Sequence, residues 1–134
     1  MTAGPAARPC GSCPYRRDVP SGVWNASEYR KLPAYDNDTM GQPPHLFLCH
    51  QQDGRVCAGW AGCHDGAHLL ALRVAAMSGT LTDDELTATV DYVSPVPLFR
   101  SGAEAAAHGL ADVDQPDERA CRTIDPLTRK RARA

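Results

Sequence analysis

His45-Leu46-Phe47-Leu48-Cys49-His50-Gln51-Gln52-Asp53-Gly54-Arg55-Val56-Cys57-Ala58 is the stretch on which a reading of the fold turns. Two apolar runs flank an Asp-Gly pair, a pattern that predicts a β-hairpin. In such a hairpin Cys49 and Cys57 stand near each other and suit two ligands of one metal ion. The partner pair lies upstream, in Cys10-Gly11-Ser12-Cys13-Pro14, a C-x-x-C beside turn residues whose amides can point at sulfur.

Working outward, the chain has 134 residues, enough for one domain with tails. Eleven prolines, eleven glycines and only eight aromatic residues predict a loop-rich chain with a thin core that would benefit from a staple. No run of 18 apolar residues occurs, which removes a membrane-spanning helix. Met1-Thr2-Ala3-Gly4-Pro5 lacks an apolar core of the secretory type, so the expected compartment is the cytoplasm, where thiols stay reduced. Six cysteines there point to metal before disulfides.

Residues 1–9 read as a disordered arm, 10–110 as a single metal-binding domain and 111–134 as a polar, basic tail. Asn25 and Glu28 mark a short helix that ends before Pro33, and residues 34–45 read as a loop. Helical spacing of His68, Leu69, Leu72, Ala75 and Ala76 predicts a helix from about Asp65, its cap, to Met77, with Gly79 as the stop. Thr82-Asp83-Asp84-Glu85 and Ser101-Gly102-Ala103-Glu104 are capping boxes, the second opening a helix through His108. Pro95 and Pro97 keep residues 92–99 extended. The expected fold class is therefore α+β: a small, irregular, metal-stapled domain with a knuckle and a β-hairpin packed on a few short helices.

A structural zinc site takes four thiolate or imidazole ligands, and Cys10, Cys13, Cys49 and Cys57 are the expected set. His50 and Cys63 are possible substitutes for the fourth. A [4Fe–4S] cluster is the alternative on the same thiolates, since ligand type alone does not separate the two. Cys63 otherwise reads as a small buried residue or a reactive thiol, and Cys121 stays outside the site. His64, like His50, fits a second layer of hydrogen bonding around the metal.

The stretches Cys10-Gly-Ser-Cys13-Pro14-Tyr15-Arg16-Arg17, Phe47-Leu48-Cys49-His50 and Cys57-Ala58-Gly59-Trp60 resemble a family of small cysteine-rich proteins of unknown function from actinobacteria and their phages. The resemblance spans roughly residues 8–75. It implies the same four cysteines with His50 nearby, and no activity. Four cysteines, a C-x-x-C, the gap between Cys57 and Cys63 and the basic tail are also similar to actinobacterial iron–sulfur regulators, although the order of spacings differs.

No H-E-x-x-H, P-loop or dinucleotide motif occurs, and no catalytic residue is assigned. The expected function is a zinc-binding binding or regulatory module with a protein partner; an iron–sulfur redox protein or a thiol enzyme is the alternative. Nucleic acid is a further candidate partner, through Arg16, Arg17 and the Arg129–Arg133 tail. Tyr15, Trp24 and Tyr29 lie among these bases, where they would either stack on nucleotides or cover the metal site.

Overall fold

Thr82 opens the most completely specified helix of the chain. Its Oγ1 accepts the Glu85 amide at 3.1 Å, and Glu85 Oε1 accepts the Thr82 amide at 3.0 Å. The computed structural model describes residues 2–124. Its α-helices are α1 (Ala26–Arg30), α2 (Ala58–Cys63), α3 (Leu70–Ser78), α4 (Asp83–Val90) and α5 (Gly102–Ala111). Three single 3-10 turns, Pro33–Asp36, Thr39–Gly41 and Gly66–His68, join them. Residues 118–124 are helical as well.

The α+β expectation is overturned. Among the described residues there is no paired strand, only isolated bridges: Leu48 with Val56, Arg16 with Leu98, and Ala3 with Arg55. The 45–58 stretch does double back, with Cys49 N–H on Arg55 O at 2.9 Å and Cys57 N–H on Phe47 O at 2.8 Å. The ladder goes no further because Cys57 is already the N-cap of α2, and the outward-facing Val56 amide serves a different stretch of chain, donating to Ala3 O at 3.0 Å. Two strands that short do not sustain a hairpin, so the segment is a loop pinned by two bonds.

The helix signals fare better. Gly79 ends α3 in the left-handed conformation, φ 72°. Asp65 does cap, but it caps a 3-10 turn, accepting the Ala67 amide at 3.1 Å, and α3 starts only at Leu70. Ser101 accepts the Glu104 amide at 3.1 Å, while Glu104 reaches past it to the Arg100 amide at 2.9 Å. Helix α5 runs through Gly109 to Ala111 instead of stopping at His108. Gly109 serves a close approach: a Cβ there would overlap the Tyr29 ring of α1. Asn25 makes no side-chain cap, and Glu28 turns to Lys31 and His50.

Packing follows from these caps. Helix α5 lies against α1 and the Pro33–Asp36 turn, and α4 against α3 and α2. Six of the eight aromatic residues are buried, with Trp60, Tyr15 and Tyr29 the largest fully enclosed. Residues 92–99 cross this core as an extended strap, Phe99 donating to Tyr15 O at 2.9 Å. Ala3 ties the N-terminal stretch to the 45–58 loop.

Candidate metal centre

The knuckle closes on itself first. Cys13 N–H reaches Cys10 O at 3.0 Å and Arg16 N–H reaches Cys13 O at 3.1 Å, so the two sulfurs share one tight turn. Ser12 between them is fully buried, and its atoms attach the turn to the rest of the fold. Its carbonyl accepts Trp24 Nε1 at 2.7 Å, and its hydroxyl accepts Gln51 Nε2 at 2.5 Å. The second bond binds the knuckle to the loop that carries Cys49.

Cys57 arrives from the other side as the N-cap of α2, its sulfur accepting the Trp60 amide at 3.5 Å. Cys13 Sγ and Cys57 Sγ stand 3.9 Å apart. Cys10 lies within electrostatic reach of both Cys13 and Cys49, so the four thiols share one neighbourhood. The approach of α2 to the knuckle depends on Gly59, where any Cβ would overlap Cys13 Sγ. That role was not read from the sequence, although the C-A-G triplet carried the signal.

Electrostatics mark the same place. Cys13 raises the Cys10 thiol above its ordinary range. The Cys10 contact pulls the Cys13 thiol down, but Cys57 and burial outweigh it and push the thiol well up. The Cys10 contact also lifts Cys49, with burial adding to it. Burial adds to the rise in all three, since a thiolate is less stable away from water and beside a second thiolate. Among the described residues, no three His, Cys, Asp or Glu side chains already converge in the manner of a metal site. The sulfurs are adjacent in pairs.

The candidate substitutes sit elsewhere. His50 Nε2–H donates to Glu28 Oε2 at 2.8 Å, and its ring packs on Trp24 with centroids 4.5 Å apart. Its Nδ1 is buried without a hydrogen-bond partner. Cys63 ends α2 and lines a cavity of about 360 Å³ with Asp36, His64 and Arg100. Burial, with Asp36 and Glu104 nearby, pushes its thiol up to about 12, the reverse of a reactive thiolate. His64 lies between Tyr15 and Tyr35, its Nδ1 3.9 Å from Asp36 Oδ1. Burial lowers its pKa, and Asp36 offsets part of that. Cys121 is exposed near Pro116 O. Tyr15, Trp24 and Tyr29 are all buried, so none presents a face on which a base could stack. Arg16 and Arg17 are held at the knuckle exit, Arg16 on Asp18 and Arg17 over the Phe99 ring at 5.7 Å. The Arg129–Arg133 tail lies outside the described residues.

The chain belongs to a family of unknown function, DUF6283, which matches residues 5–124. No curated protein and no solved structure matches the chain. Among the described residues, no helix is long and apolar enough to cross a membrane.

Proposed function

We propose that the protein is a zinc-binding module in which Cys10, Cys13, Cys49 and Cys57 hold one structural ion. The observation that carries the reading is the 3.9 Å approach of Cys13 Sγ to Cys57 Sγ, which joins thiols from two distant stretches of chain. The 3.9 Å between Cys13 and Cys57 sulfurs supports zinc over a [4Fe–4S] cluster. Two thiolates on one tetrahedral ion at about 2.3 Å each stand about 3.8 Å apart. A cluster spreads its thiolates over separate irons and holds them wider. Uptake would draw Cys10 and Cys49 in toward the Cys13–Cys57 pair, with release of the thiol protons.

Four protein thiolates leave no open position for a substrate or water, which favours a binding or regulatory role over catalysis. The ion would tie the N-terminal knuckle to α2 and so hold the surface offered to a partner.

Metal analysis of the purified protein, with a visible spectrum taken before exposure to air, tests the reading. About one zinc per chain is expected, without a visible chromophore. Single Cys→Ser changes at positions 10, 13, 49 and 57 should each lower bound zinc, Cys63→Ser should lower it weakly, and Cys121→Ser should leave it unchanged. Stripping the metal with a strong chelator should lower the melting temperature. A brown protein that bleaches in air would replace zinc by a cluster. Full metal content in all four variants would end the assignment.

A further inference from the structure

A second concave site lies on the solvent side of the knuckle, and its chemistry differs from that of the thiols. It is a cavity of about 260 Å³ whose walls include Gly11, Arg16, Asp18, Arg119, Arg122 and Thr123. Two distant parts of the chain build it, the knuckle exit and the helical residues 118–124. The chain carries a formal net charge of −2, yet here three guanidiniums meet two carboxylates, Asp18 in the wall and Glu118 beside Arg122. A concave wall concentrates such an excess of positive potential.

The arginines are also held in place before any ligand arrives. Arg16 donates Nε and Nη2 to Asp18 at 2.8 and 2.7 Å, and Nη1 to Pro9 O at 3.2 Å. Arg119 Nη2 donates to the Asp18 carbonyl at 3.2 Å. These bonds serve the fold, since they fasten the C-terminal helical segment to the knuckle. Arg122 adds nothing to that fastening. Among the described residues it pairs with Glu118 alone, four residues back, at 3.0 Å, and both side chains are exposed. The cavity therefore carries a guanidinium surplus to its structural need.

We propose that this cavity binds a phosphate oxyanion, either as inorganic phosphate or as the phosphate group of a larger molecule. Guanidinium forks match phosphate oxygens in pairs and hold them by charge-assisted bonds. The volume lies below the range of about 300–1,000 Å³ typical of pockets that enclose organic ligands. One phosphoryl group fits, and any molecule attached to it would lie outside. Asp18 is already neutralised by Arg16, which leaves Arg119 to meet the anion together with Arg122, whose exposed pair with Glu118 the anion would displace.

The test is calorimetric titration of the full-length protein with inorganic phosphate, against chloride at matched ionic strength. Saturable binding to phosphate and none to chloride is expected, weakening as salt is added. Arg122→Gln should weaken phosphate roughly tenfold or more, the loss of one charge-assisted pair. Its melting temperature in chloride should stay that of the wild type, and Arg73→Gln, remote from the cavity, should bind as the wild type does. Competition by a single-stranded oligonucleotide with unphosphorylated ends would identify the backbone diester of nucleic acid as the source. Failure of that oligonucleotide to compete would identify a free phosphate or monoester. A phosphate response equal to that of chloride, or an unchanged response in Arg122→Gln, overturns the proposal. None of these readouts depends on bound metal.

Discussion

Gly59→Ala changes one hydrogen to a methyl group, and the two physical effects in play have opposite signs. Gly59 lies in α2, where alanine is favoured over glycine by about 0.5–1 kcal/mol. If only local propensity mattered, the variant would be more stable. The new Cβ, however, would overlap Cys13 Sγ and sit 2.8 Å from Tyr15 Cβ. Both neighbours are fully buried and cannot swing aside. Overpacking of this kind costs about 1–3 kcal/mol, so the net loss runs from about 0 to 2.5 kcal/mol and centres near 1 kcal/mol. For a chain of this size that lowers the melting temperature by roughly 3–6 °C per kcal/mol. Because the clash falls on a candidate ligand, bound zinc should fall with it. Thermal unfolding followed by circular dichroism reads the first effect, and metal analysis reads the second. Gly11→Ala is the control, since a Cβ there meets nothing within 4 Å. A Gly59→Ala protein that melts above the wild-type temperature would refute the close approach of α2 to the knuckle.

Four further outcomes follow from single groups. Cys63 has a folded pKa of about 12 against an ordinary 9.0, so its contribution is complete below pH 9 and is lost as pH rises toward 12; the stability advantage of wild type over Cys63→Ser should shrink through that range, and a constant gap in denaturant titrations contradicts it. His64 is shifted the other way, its pKa lowered from 6.5 by burial, so the folded protein should lose stability as pH falls below about 6.5, and His64→Gln should lack that loss in the same titrations. Tyr15→Phe removes a buried hydroxyl that has no hydrogen-bond partner, so it should be neutral or mildly stabilising; a loss above about 1 kcal/mol in chemical unfolding would mean that the hydroxyl is satisfied in solution. Thr82→Ala should cost about 1 kcal/mol through loss of the α4 cap, and an unchanged midpoint would contradict that box.

What could be read from residues alone were features closed within a few positions. The Thr82–Glu85 box needs only its own four residues, and Gly79 needs only its freedom to take a positive φ. Pro95 and Pro97 keep the strap out of a helix wherever it lies. The knuckle turn at Cys10–Cys13 is local too, and its pairing with Cys49 and Cys57 as a candidate set could be inferred from cysteine chemistry.

Tertiary contacts decided the rest. An Asp-Gly pair between apolar runs reads as a hairpin, yet Val56 bonds Ala3, some fifty residues away, and Cys57 turns at once into a helix. Gly109 reads as a helix stop, but the Tyr29 ring occupies the space a side chain would need, and α5 passes through. Gly59 reads as an ordinary small residue until Cys13 is seen against it. Likewise, Arg119 and Arg122 acquire meaning only once residues 118–124 fold onto Arg16. Each of these depends on which distant groups compete for the same hydrogen bond or the same volume. Local pattern carries no information on that competition, because it is settled only when the whole core packs.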